Sequence, residues 1–136
     1  MTSLVDVSIQ ERTLTFLVVD DNEDVRDVFT QLIERSGHVA AVAADGVEAL
    51  EALKSQTFDV MLLDVTMPRM NGIQVARFLH ENPDVAPDTR VVVISAWAGE
   101  NRAVLQELGV ETVMQKPLRL KQLTALIEET RLSADP

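Results

Sequence analysis

Apolar residues in this chain gather into five short runs: LTFLVV at 14–19, VAAVA at 39–43, FDVMLL at 58–63, RVVVIS at 90–95 and ETVMQ at 111–115. Each has the length of a strand, and stretches such as FLVV and VVVI, apolar at every position, predict strands covered on both faces. Between the runs the spacing becomes helical. Val25, Val28, Phe29, Leu32 and Ile33 make one stripe that Gly37 closes. Asp45, with Glu48 three residues later, has the form of an N-terminal capping pair, and Val47, Leu50 and Leu53 carry the period on toward Lys54. Ile73, Ala76 and Leu79 predict a third helix, Val104, Leu105 and Leu108 before Gly109 a fourth, and Leu120, Leu123 and Ile127 a fifth. The segment ENPDVAPDT at 81–89 reads as a surface loop.

Strand and helix thus alternate five times, and right-handed crossovers then require a parallel sheet with helices on both faces: a three-layer α/β sandwich. With 136 residues there is enough chain for one well-filled core. Residues 14–131 are assigned to that domain, 1–13 to an N-terminal extension expected to be flexible, and 132–136 to a tail. Val5, Val7 and Ile9 alternate with polar residues, so an extra strand is the alternative for the extension.

Charge narrows the partners. Twenty-two acidic against 12 basic residues give a net charge of −10, with Lys and Arg scattered singly, which argues against direct binding to nucleic acid. No apolar run has the length of a bilayer span, the N-terminus lacks the form of a secretory signal, and there is no cysteine, so no membrane role and a cytoplasmic location are expected. His38 and His80 stand alone and are read as structural.

The carboxyl ends of parallel strands share one edge, where ligands of open α/β sheets bind. The first run ends on Asp20 and Asp21, the third on Asp64, the fourth on Ser95 and the fifth at Lys116. Three carboxylates there would repel one another unless a cation sat among them, and Mg2+ suits hard oxygen donors joined to a phosphate. Lys116 and Ser95 would help hold phosphoryl oxygens, leaving Asp64 as the nucleophile. Plainer roles exist for each: a helix cap for Asp20, Asp21 or Asn22, a turn opener for Asp64, a strand-end hydroxyl for Ser95, a solvated turn residue for Lys116. Their joint occurrence on separate strand ends favours the site.

Four segments, VVDDNED, LLDVTMPRMNG, VISA and QKP, together resemble the receiver domains of two-component response regulators, from about Thr15 to Arg131. The resemblance implies a flavodoxin-like (βα)5 fold with strand order 2-1-3-4-5. It implies a phosphoacceptor switch: Asp64 takes a phosphoryl group from a sensor histidine kinase or histidine phosphotransferase. Asp21, Asp64 and the backbone carbonyl of Thr66 would ligate Mg2+, with Asp20 acting through a water. Ser95 and Lys116 would hold the phosphoryl oxygens, and Lys116–Pro117 would be a cis peptide. Phosphorylation would draw in Ser95 and the loop after it, repacking the surface of the fourth helix, fifth strand and fifth helix that binds a partner.

Three positions depart from the family pattern. Val113 stands where an aromatic switch residue is usual. Trp97 could overhang the site as a lid or sit as a half-buried surface aromatic, and with Thr66 it would tune phosphoryl lifetime. Arg119 occupies the expected N-cap of the last helix, where its side chain cannot accept, so a water or loop carbonyl is expected there. The chain would catalyse only its own phosphorylation and slow autodephosphorylation, as a monomer or weak dimer, with its output in a partner, a relay transferase or another domain. The alternatives are a degenerate receiver acting by contact alone and, less favoured, a Mg2+-dependent phosphohydrolase, whose second aspartate is replaced here by Thr66.

Overall fold

A computed structural model describes residues 12–134, so the readings made for residues 1–11, the Val5, Val7 and Ile9 strand included, lie outside the described residues. Strands β1 (Thr15–Val19), β2 (Val39–Ala43), β3 (Val60–Asp64), β4 (Arg90–Ser95) and β5 (Thr112–Gln115) alternate with helices α1 (Glu23–Arg35), α2 (Gly46–Ser55), α3 (Gly72–Glu81), α4 (Ala98–Glu107) and α5 (Leu120–Ala134). All strands pair in parallel in the order β2-β1-β3-β4-β5. The last helix runs three residues past Arg131.

Side chains alternate across the sheet and fill two cores. Leu17, Val19, Met61, Leu63, Val93 and Val113 pack with Ala49, Leu53, Val75 and Leu105 beneath α2, α3 and α4. Phe16, Val18, Val60, Leu62, Val92 and Ile94 pack with Phe29, Ile33, Leu123, Leu126 and Ile127 beneath α1 and α5. Burial on both faces is what the uninterrupted apolar runs predicted. The helical stripes are covered less completely than their spacing suggests. On α1 only Phe29 and Ile33 are buried, and Val28 is 47% exposed. Leu120 is 58% exposed, and Leu126 takes its place in the core.

The helix ends follow their side chains. Asn22 caps α1 by accepting from the Val25 N–H at 3.1 Å, and Gly37 leaves the helix at φ 89°. Asp45 caps α2 through the Glu48 N–H at 2.9 Å, while the Glu48 carboxylate reaches back to the Ala44 N–H at 3.0 Å. At the start of α5 the Arg119 carbonyl accepts from the Gln122 N–H at 2.9 Å. Gln122 Oε1 accepts from the Arg119 N–H at 2.9 Å, the half of a capping box that the third helical residue supplies.

At the opposite end of the sheet from the candidate site, His38 is buried, and its Nδ1 accepts from the Leu14 N–H at 3.0 Å. That bond requires a neutral ring. Burial and then the nearby Arg131 guanidinium hold the His38 pKa below its ordinary 6.5, against the pull of Glu128 and Asp59. The unfolded chain therefore binds a proton that the folded chain refuses, and this contribution, complete above pH 6.5, is lost as pH falls below it. Urea titrations of His38→Ala should show a loss of about 1–3 kcal/mol at neutral pH, the cost of leaving the Leu14 amide unpaired. The gap from wild type should narrow as the medium is acidified below that point.

Candidate functional site

Register brings the rim residues together. Val19 pairs with Leu63, so the next residues, Asp20 and Asp64, stand side by side where the strand order reverses. Asp64 pairs with Ile94, and Ser95 pairs with Gln115, which aligns the ends of β3, β4 and β5. Lys116 follows at once, joined to Pro117 by a cis peptide bond.

The Lys116 ammonium reaches across this edge, 2.9 Å from Asp20 Oδ2 and 3.0 Å from Asp64 Oδ1. Asp20 and Asp64 are both buried, whereas Asp21 is exposed, and the three carboxylates each offer an oxygen within 4.8 Å of the others. Burial raises the pKa of Asp64 above the ordinary carboxylate value, with the Asp20 and Asp21 charges adding to the shift and Lys116 opposing it. For Lys116, burial acts downward, but its bonds to Asp20 and Asp64 prevail and the net shift is upward. The lysine is therefore a firmly charged ammonium inside an acidic pocket.

Neighbouring backbone holds these groups in place. Asp20 Oδ1 accepts from the Asn22 N–H at 2.9 Å, and Arg26 donates to the Asp20 carbonyl at 2.8 Å. Hence the cap of α1 is Asn22, and the Asp20 carboxylate faces the site. Gly72, the first residue of α3, donates its N–H to the Val65 carbonyl at 2.9 Å. A Cβ there would lie 2.3 Å from the Asp64 carbonyl oxygen, so only glycine lets the helix approach the strand end this closely. Thr66 is exposed in the loop between Asp64 and Gly72, flanked by the buried Val65 and Met67.

Ser95 is 1% exposed, and its Oγ accepts from the Trp97 N–H at 2.9 Å and from Asn101 Nδ2 at 3.1 Å. The plain reading of Ser95 as a strand-end hydroxyl thus describes one of its bonds. Trp97 is the N-cap residue of α4, makes no side-chain cap bond and is 60% exposed, more open than the half-buried surface aromatic that is one of its two readings. Val113 is a buried aliphatic paired with Val93, so no aromatic stands at that position.

Sequence reading missed four contacts. Asn101 has the plainest signal, an amide in the first turn of the helix that follows Ser95. Gln115 donates to the Ala96 carbonyl at 2.7 Å, tying β5 to the loop after Ser95. Arg69, at φ 63°, donates through Nε to Asp45 Oδ2 at 2.7 Å, and the Gly46 N–H reaches the Met70 carbonyl at 3.0 Å. Together they fasten the loop carrying Thr66 to the start of α2. Chiefly because of Arg69, the Asp45 pKa lies below the usual carboxylate value. Asp45→Ala, which removes both cap and ion pair, should cost about 1–2 kcal/mol in urea denaturation, with Asp45→Asn recovering part of the loss.

Comparison with known proteins agrees with this geometry. The family model for the response regulator receiver domain matches residues 16–128. The chain belongs to that family, and its context is therefore two-component signalling. A curated relative, response regulator MprA from Mycobacterium ulcerans (strain Agy99), is 34% identical over 128 residues, 90% of this chain and 54% of its own length. The chain spans between 30 and 54% of the length of the curated relatives it matches first. Among solved structures, a CheY-like receiver domain protein from Methanospirillum hungatei JF-1 superposes with a TM-score of 0.81 at 24% identity, covering 90% of this chain and 96% of that one. TrrA from Thermotoga maritima, solved in complex with Mg2+-BeF, superposes with a TM-score of 0.75 at 23% identity, covering 87% and 99%. At these identities the superpositions establish the CheY-like, flavodoxin-like fold of this receiver domain. Among the described residues no helix is long and apolar enough to cross a membrane.

Proposed function

We propose that this receiver is a phosphorylatable switch in which Asp64 accepts a phosphoryl group from a histidine kinase or histidine phosphotransferase. The observation that carries this reading is the Lys116 ammonium bridging Asp20 and Asp64 at 2.9 and 3.0 Å, with Asp21 completing the acidic cluster. A carboxylate oxygen of Asp64 attacks phosphorus; the new O–P bond forms as the P–N bond breaks, and the departing imidazole keeps the electron pair and takes a proton. Lys116 and the Ser95 hydroxyl hold equatorial oxygens as charge spreads over them. Asp20, Asp21, Asp64 and the Thr66 carbonyl form a hard-oxygen donor set suited to Mg2+, with Asp20 acting through water. When bound, the metal supplies Lewis-acid neutralisation of the phosphoryl charge. Water later attacks phosphorus, releasing inorganic phosphate and restoring the Asp64 carboxylate. With Thr66 two residues past Asp64, no second aspartate stands where a phosphohydrolase places its acid and base.

The donor has a surface to approach. Beside Lys116 lies an open apolar groove of about 550 Å³, lined by Val25, Val28, Phe29, Ile94, Pro117 and Leu118, which accounts for the exposure of Val28. A phosphohistidine on a helix that fills this groove would stand at the rim. On the output side, phosphorylation draws on Ser95 and, through the Ala96–Trp97 loop, on α4 and the adjacent β5 and α5 surface.

Incubation with Mg2+ and acetyl phosphate, followed by intact-mass analysis in cold acid, tests the reading. The expected result is one added phosphoryl mass that requires Mg2+ and is removed by hydroxylamine, as an acyl phosphate is. Trp97 fluorescence on adding beryllofluoride should change in parallel, because Trp97 lies two residues from Ser95. No added mass from acetyl phosphate or from a phosphohistidine donor would overturn the switch in favour of a module acting by contact alone.

A further inference from the structure

We propose that Asn101 is a positioning residue for the phosphoryl group, acting through Ser95; the inference rests on the reading of Ser95 as a phosphoryl contact. A serine hydroxyl has two acceptor lone pairs and one proton to donate. Ser95 Oγ is sealed from solvent, and both lone-pair directions are taken by donors, the Trp97 N–H at 2.9 Å and Asn101 Nδ2 at 3.1 Å. What remains is the proton. An anionic oxygen arriving at Asp64 needs a donor, and a hydroxyl whose acceptor sites are filled can offer nothing else. The Trp97 bond is local to the turn and any residue but proline would make it. Asn101, six residues on in α4, is the side chain that fixes the polarity.

The same contact gives the phosphoryl group a route to α4. Asn101 sits in the first turn of that helix, and Gln115 holds the intervening loop from the other side by donating to the Ala96 carbonyl at 2.7 Å. With Val113 in place of an aromatic, the Ser95–Asn101 hydrogen bond links the phosphoryl contact to the helix directly. A pull on the hydroxyl is a pull on the first turn of α4.

Polarity reversal separates this role from simple packing. Asn101→Asp keeps the shape of the side chain but turns the donor into an acceptor that captures the Ser95 proton. Asn101→Leu keeps the bulk and offers neither. Beryllofluoride affinity in Mg2+ should fall about three- to tenfold in Asn101→Leu, where one neutral hydrogen bond is lost. In Asn101→Asp it should fall about ten- to hundredfold, matching Ser95→Ala, because the bond to the anion itself is lost. The Ser95→Ala, Asn101→Asp double variant should bind no worse than Ser95→Ala alone. A further loss in the double variant would show direct charge repulsion, and equal losses in Asn101→Asp and Asn101→Leu would show packing; either overturns the proposal. Independently of metal and phosphoryl, the Asn101 side-chain amide resonances of the metal-free protein should shift on Ser95→Ala, and the absence of a shift would also overturn it. If wild type binds beryllofluoride while the Asn101 series is flat, this inference falls alone. If wild type takes up neither beryllofluoride nor phosphoryl, the phosphoacceptor reading falls first and takes the inference with it.

Discussion

Asp64→Asn is expected to fold, to acquire no phosphoryl mass from acetyl phosphate, and to resist unfolding better than wild type in metal-free buffer. The amide is nearly isosteric, and its oxygen can still accept from Lys116, now 3.0 Å from Asp64 Oδ1. It has no anionic oxygen to attack phosphorus, so chemistry stops while architecture stays. The stabilisation follows from what the native residue endures: burial disfavours its charge, and two further carboxylates stand within 4.8 Å. A cation relieves that strain. Mg2+ at a hundred times its dissociation constant should therefore stabilise wild type by about 2.7 kcal/mol by mass action. Losing one of three carboxylates should remove most of that response. Thermal melts with and without Mg2+, alongside intact-mass analysis, check both halves; a variant that still gains the phosphoryl mass would place the acceptor elsewhere.

Gly72→Ala is expected to be the most damaging single methyl group on this rim. Its Cβ would meet the Asp64 carbonyl oxygen at 2.3 Å, the Val65 Cα at 2.9 Å and the Asp64 carbonyl carbon at 3.0 Å. These are backbone atoms, so no rotamer change makes room. Either α3 withdraws or the end of β3 turns, and the Gly72 N–H to Val65 carbonyl bond is stretched in both cases. Overpacking of this kind costs about 1–3 kcal/mol. The larger effect is functional, because displacement of order 1 Å at the proposed nucleophile costs about a hundredfold in rate. Gly99→Ala is the matched control: nothing lies within 4 Å of its Cβ, and the change sits inside α4, where alanine is favoured by up to about 1 kcal/mol. Urea titration and acetyl phosphate kinetics on the two variants should move in opposite directions for stability, with phosphorylation slowed in Gly72→Ala alone.

Much of this was written in the pattern of residues. Apolar runs and helical spacing determined the alternation of five strands and five helices, because the periods of strand and helix differ and burial on both faces removes polar residues from the central strands. The sequence also determined which side chains stand at the carboxyl ends of the strands, since a strand that stops on Asp20, Asp64 or Ser95 presents that residue at the rim whatever its neighbours are. Gly37 and the Asp45–Glu48 pair marked helix ends by local chemistry alone.

Tertiary structure decided the rest. That Lys116 lies between Asp20 and Asp64 depends on the Val19–Leu63 register and on the order of the sheet, which join residues 96 positions apart. Helical spacing told which face of α1 and α5 is apolar but not how wide a strip the sheet covers, so Val28 and Leu120 lie in the open. The Arg69–Asp45 pair and the Asn101–Ser95 bond depend on the paths of the loops that join their elements, which no periodicity describes. Local pattern is set by the solvation of each side chain in turn, whereas the partner of a polar group is set by where the packed core carries it.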